Sequence, residues 1–261
     1  MMVLSMTQTA LAVASGSIVG FSLGLVGGGG SILAVPLLVY VVGLDNPHVA
    51  IGNSAIAVAL NAATNLAMHA RAGNVKWRCA LVFAMAGVAG AFLGSTFGKM
   101  MDGQRLLALF AVLMMVVGAL MLKDRARVGD PGVKLSSENL PKLLGLGLIA
   151  GALSGFFGIG GGFLIVPSLI LATGMQVLNA IGSSLVSVTA FGLTTAGNYA
   201  WSGLVDWPLA GLFIAGGLLG SLLGVRSAKA LSNRKGMLTT VFAILIFVIA
   251  LYMLARSLAL L

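Results

Sequence analysis

Charged side chains make up only 8% of this 261-residue chain, and Asp and Glu together number six. A water-soluble domain carries about a quarter of its residues as charged groups, so a soluble globular fold is excluded. No Asp, Glu, Lys or Arg falls at the centre of an apolar run. That speaks against a cation carrier or proton pump built on intramembrane carboxylates. The single cysteine, Cys79, forbids an internal disulfide, makes no thiolate metal site alone and leaves the redox compartment open. Two histidines, His48 and His69, are too few for a metal site, and both sit at segment boundaries, where hydrogen bonding is the simpler role. HExxH, Ser/His/Asp and Cys/His patterns are missing, and neither GGGGS nor GIGGG carries the Gly-Lys-Ser/Thr ending of a phosphate-binding loop. No enzyme, resident metal or cofactor is expected.

What the chain has instead is apolar length. Hydrophobic residues account for 59%, and the mean hydropathy is +1.09. Apolar runs recur that are long enough to cross a hydrocarbon core of about 30 Å at about 1.5 Å per residue. The expectation is an all-α polytopic membrane protein. Fifteen Lys and Arg give a net charge of +9, which in a soluble chain would suggest nucleic acid. Here they lie mostly in the gaps between apolar runs, so they report topology, with the lipid bilayer as partner and no nucleic acid. The N-terminal run ends near an Ala-Val-Ala that imitates a signal-peptide cleavage site, but it lacks a basic start and aligns with an internal segment, so it reads as retained structure.

The decisive feature is repetition. GFSLGLVGGGGSILAVPLL (Gly20 to Leu38) aligns with GALSGFFGIGGGFLIVPSL (Gly151 to Leu169) at an offset of 131. A one-residue deletion brings the offset to 130 and pairs Gly52-Asn53-Ser54 with Gly182-Ser183-Ser184, Trp77 with Trp207, and Gly87, Gly90 and Gly94 with Gly217, Gly220 and Gly224. A collinear series of this kind signals duplication. Residues 1–122 form the first membrane repeat, the polar stretch 123–142 the linker, and 143–261 the second repeat. Each repeat holds five apolar segments, near 9–26, 31–43, 48–70, 79–98 and 104–122, then 143–158, 162–174, 179–201, 207–225 and 236–255. The second of each five is short and follows a glycine cluster, the pattern of a broken or re-entrant helix pair beside a binding site. The architecture expected is therefore two repeats with about 8 to 10 membrane segments.

Charge sets their orientation. The gap after the third segment carries Arg71, Lys76 and Arg78 in the first repeat but only Asp206 in the second; after the fourth segment the bias reverses, with Arg226, Lys229, Arg234 and Lys235 in the second. Placing the 71–78 gap, the linker and the 226–235 gap in the cytoplasm collects 12 of the 15 basic residues on one side. The repeats are then inverted, and both termini face outward.

The remaining polar groups suit an anion. Gly28, Gly29, Gly30 and Ser31, with Gly160, Gly161 and Gly162, precede the short second segments, where free amides and aligned peptide dipoles favour negative charge. Asn53, Ser54 and Asn61, with Ser183, Ser184 and Asn198, belong to polar stripes on the third segments that also include Thr64, Asn65, Ser187, Thr194 and Thr195. Neutral donors of this kind avoid the cost of burying a cationic side chain. Membrane helices also use Ser, Thr and Asn as glue, and the series Gly16-Gly20-Gly24, Gly90-Gly94-Gly98 and Gly216-Gly220-Gly224 are close-packing chemistry.

The duplicated G-x-x-x-G-x-G-G-G-x-x-x-V-P element, seen as GFFGIGGGFLIVP, together with the Gly-Asn-Ser and Gly-Ser-Ser openings of the third segments, resembles the TauE/SafE family of sulfite exporters and related anion permeases. The resemblance covers nearly the whole chain. It implies an inner-membrane secondary transporter for a small anion, sulfite or an organosulfonate such as sulfoacetate, in a family usually assigned about eight crossings. An anion channel and a non-transporting scaffold subunit are the alternatives; coupling to a proton or another ion, and a homodimer, stay open.

Overall fold

The computed structural model describes residues 5–123, 130, 132–230, 244 and 246–256. Parts of the linker and of the last apolar segment, including Arg234 and Lys235, lie outside the described residues. Helices account for nearly all of the rest: α1 Met6–Val26, α2 Gly30–Val41, α3 Pro47–Arg71, α4 Trp77–Met100, α5 Gly103–Lys123, α6 Leu140–Phe157, α7 Gly162–Thr173, α8 Val177–Trp201, α9 Trp207–Ala230 and α10 Ile246–Arg256. Six of them, α1, α3, α4, α6, α8 and α9, are long and apolar enough to cross a membrane.

The few carboxylates punctuate these helices. Asp102 Oδ1 accepts from the amides of Gln104 and Arg105 at the start of α5, and Asp206 Oδ1 accepts from Leu209 at the start of α9, each at 3.1 Å. Asn46 does the same for α3, accepting from the His48 amide at 2.9 Å with Pro47 in the first turn. These acids cap helix starts and leave the bundle interior without charge: the buried polar side chains among the described residues are all Ser, Asn or Thr.

Glycine sets how the helices approach. A Cβ on Gly16 or Gly20 of α1 would overlap the carbonyls of Phe213 or Gly217 in α9, and one on Gly220 or Gly224 would overlap those of Ser17 or Phe21. In α4 and α6 the same contacts recur. Gly147 and Gly151 abut the carbonyls of Phe83 and Gly87, while Gly90 and Gly94 abut those of Leu148 and Ala152. These are the positions that the offsets of 131 and 130 assign to one another. Residue numbers rise together across each interface, so α1 runs parallel to α9 and α4 parallel to α6. With no side chains between them, the backbones approach closely enough for dispersion to hold helices that the hydrophobic effect does not drive together in lipid.

Between these pairs lie α3 and α8. Gly52, at the start of α3, meets Leu204 O just beyond the end of α8, and Gly182, at the start of α8, meets Asn74 O just beyond the end of α3. The two helices are therefore antiparallel. Gly192 of α8 rests on Ala55 and Ala59 near the middle of α3. Large apolar side chains on the outer faces of α4 and α9, among them Met85, Phe92, Phe97, Leu219 and Leu223, are more than half exposed. An apolar surface of this extent matches lipid rather than water.

Candidate functional site

The two glycine clusters fold differently. Gly158, Gly160 and Gly161 have φ of +66°, +64° and +67°, a left-handed turn that ends α6 and starts α7. Only glycine occupies these conformations without strain. In contrast, Gly27–Leu33 winds as a 3-10 helix directly after α1. It continues through one α turn, Ala34–Pro36, into a π turn, Leu37–Val41, where Val42 N bonds Leu37 O at 3.0 Å. Pro36 contributes no N–H, and the ladder beyond it has slipped by one residue.

The Gly27–Leu33 turn packs against α7 and α8, so the two glycine-rich elements touch. Gly160 sits where Val58 of α3 and Val188 of α8 approach, beside the crossing of those helices. Leu164 and Ile165 amides both bond Gly161 O, at 2.8 and 3.0 Å. By helix geometry the amides of Gly162 and Phe163 ahead of them stand outside the ladder. Next to this start is Ser154, fully buried, its Oγ without a partner and about 2.8 Å from where a Cβ on Gly161 would sit. A helix start with amides outside the ladder and an unused hydroxyl beside it make an uncharged pair of donors suited to an anion.

The other sequence candidates divide. Ser54 Oγ shares its one proton between Ile51 O and, across the interface, Gly158 O, both at 2.9 Å, and so fastens α3 to the glycine turn. Asn53 Nδ2 donates to Val49 O at 2.8 Å while its Oδ1 is buried without a partner. Ser184 Oγ donates to Ile181 O in its own helix. Ser183 Oγ accepts from the Lys76 amide at 2.8 Å, in the loop that follows α3. Because α3 and α8 are antiparallel, Asn53 and Ser183 occupy opposite ends of the pair and do not converge. Ser31 is buried, and it belongs to the 3-10 turn whose sequence includes Gly28, Gly29 and Gly30. Asn61 is fully buried, and both polar atoms of its carboxamide lack partners.

Asn198 belongs to a separate cluster between α4 and α8. Its Nδ2 donates to Ser95 Oγ at 2.6 Å and Thr96 Oγ1 at 3.0 Å, and its Oδ1 accepts from Lys99 Nζ at 2.7 Å. Lys99 also donates to Asn198 O and Ser202 Oγ, at 3.0 and 2.8 Å, and lies over the Tyr199 ring. Sequence patterning missed Ser154 and the role of Lys99. Ser154 reads as one of many small residues on a packing helix, and Lys99 as a boundary charge.

With this geometry in view, comparison with known proteins is direct. The family model for sulfite exporter TauE/SafE matches residues 12–253. The chain belongs to the TauE/SafE family. A probable membrane transporter protein of Xylella fastidiosa (strain Temecula1 / ATCC 700964) is 53% identical over 94% of both chains. The probable membrane transporter protein YunE of Bacillus subtilis is 26% identical over 90% of this chain and 92% of its own. A probable membrane transporter protein of Methanocaldococcus jannaschii is 28% identical over 83% and 86%. No solved structure matches. Family and relatives together place this TauE/SafE protein among multi-pass membrane transporters.

Proposed function

We propose that this TauE/SafE protein is an inner-membrane secondary transporter for a small anion, sulfite or an organosulfonate such as sulfoacetate first among them. Residues 1–122 and 143–261 act as inverted repeats that rock against one another around a central site. The exchanged glycine contacts carry the reading: Gly20 on Gly217 is matched by Gly151 on Gly87, and Gly220 on Ser17 by Gly90 on Leu148. A two-fold axis relating antiparallel α3 and α8 stands perpendicular to both helices. If both cross the bilayer, that axis lies in the membrane plane, the signature of an inverted repeat. The Gly158–Gly162 turn and Ser154 lie beside the crossing of these helices, where alternating access needs its binding site. Basic residues in the 71–78 and 226–235 gaps fit a cytoplasmic placement with outward termini.

The experiment is uptake of sulfite, sulfoacetate, sulfate and lactate into proteoliposomes of the purified chain. Saturable flux of a sulfur anion, lost in Ser154→Leu and Ser184→Leu variants that insert normally, is the expected result. Equal flux in both variants would refute the site. Non-saturating conductance would make the protein a channel, and no flux of any anion would refute transport.

A further inference from the structure

The duplicated fold contains its own control for each position, and one three-helix junction departs from its twin in a way that packing does not explain. Where α1, α3 and α9 meet, the carboxamide of Asn61 lies against Gly217, which itself abuts Gly20. At the matching junction of α6, α8 and α4, the ring of Phe191 lies against Gly87, which abuts Gly151. Phe191 stacks on Phe83 with centroids 6.3 Å apart, an ordinary apolar plug. One helical turn beyond Asn61 comes Asn65, 2% exposed, at the position of Thr195 in the twin. All four terminal atoms of the two carboxamides are buried without hydrogen-bond partners. Buried amides left unpaired are strongly disfavoured, and at the place of Asn61 the same fold has an apolar alternative in Phe191, while at the place of Asn65 the twin keeps a smaller polar side chain, Thr195, whose Oγ1 is also buried without a partner.

We infer that Asn61 and Asn65 form a binding site, distinct from the glycine turn of α7, for a singly charged oxyanion that carries its own proton. The inference rests on the transport reading above and names the species carried. Two carboxamides present donors and acceptors side by side. A hydrogen sulfite ion offers oxygen acceptors to the Nδ2 groups and a hydroxyl donor to an Oδ1, whereas a dianion offers acceptors only and brings a second charge to a junction with no buried cation among the described residues. A substrate carrying its own proton also needs no intramembrane carboxylate to accompany it.

The test is thermal-shift binding and proteoliposome flux with sodium sulfite and sodium sulfate between pH 6 and pH 9, using wild type, Asn61→Leu, Asn65→Leu and, as a control at the twin junction, Phe191→Leu. Wild type should bind sulfite, with apparent affinity falling about tenfold per pH unit above the ion's second ionisation as the competent species is depleted. Sulfate should not bind at any pH. Either Asn variant should lose the sulfite response and flux at least tenfold while its ligand-free melting temperature holds or rises, because an unpaired polar group has been removed. Phe191→Leu should keep the sulfite response. Asn variants that melt lower and still bind and carry sulfite would show carboxamides serving the fold or holding water only, and would overturn the site. Sulfite affinity independent of pH would overturn the protonated species. A wild type that carries no sulfur anion would instead overturn the transport reading and this inference with it.

Discussion

At the residue scale, glycine does most of what charge or disulfides do in other proteins. Its chief use here is absence of volume: at Gly20 and Gly151 the neighbouring carbonyl occupies the place of a Cβ. A Gly20→Val or Gly151→Val variant must push two helices apart along their whole interface. The cost expected is at least the overpacking range of about 1–3 kcal/mol, read as a lower melting temperature in detergent. Gly211, around which no atom lies within 4 Å of an added Cβ, tolerates alanine without that penalty. At Gly160 and Gly161 a second reason applies, since positive φ as well as crowding opposes any side chain. Asn198 shows the limit of reading residue type alone. Its position on a polar stripe suggests a ligand contact, whereas its amide is used between Ser95, Thr96 and Lys99.

At the scale of elements, α4 and α8 are tied together near their C-terminal ends by Lys99. Three acceptors, Asn198 O, Asn198 Oδ1 and Ser202 Oγ, take its three protons. None of them is charged, so the tie is a set of charge-assisted hydrogen bonds rather than an ion pair. A Lys99→Met substitution keeps the stem and removes the donors, and is expected to cost about 1.5–3 kcal/mol. Measured by thermal unfolding at low and high salt, that loss should change little with ionic strength, since no opposite charge is there to be screened. The short helices show how elements depart from periodicity. Apolar runs of similar length mark α2 and α7 equally, yet α7 starts from a left-handed glycine turn and α2 grows out of α1 through a 3-10 run.

For the whole molecule, the strongest pairings cross between the first and second halves of the chain: α1 pairs with α9 and α6 with α4. A single repeat would present the glycine faces of its first and fourth helices to lipid, with nothing to fill the grooves. Expressed alone, residues 1–130 or 131–261 should therefore be degraded or aggregate; expressed together, they should copurify as a functional pair. Stable, monodisperse single halves on size exclusion would refute that interdependence.

The sequence by itself determined how many apolar segments there are, where they break and which glycines correspond, because each of these is a property of residue type at fixed spacing. Hydropathy marks the ten helices among the described residues, and the small-residue series at 16–24, 90–98 and 216–224 mark packing faces. Only the tertiary structure decided which faces meet. That Gly20 seeks Gly217, that Asn53 and Ser183 stand at opposite ends of antiparallel helices, and that Ser54 bonds the glycine turn 104 residues away all depend on partners far off in the chain. A polar side chain on a helical stripe looks the same in one dimension whether its bonds are taken, as in Asn198, or open, as in Asn61. Hydrogen bonding is decided by what lies opposite, and that is fixed only when the helices pack.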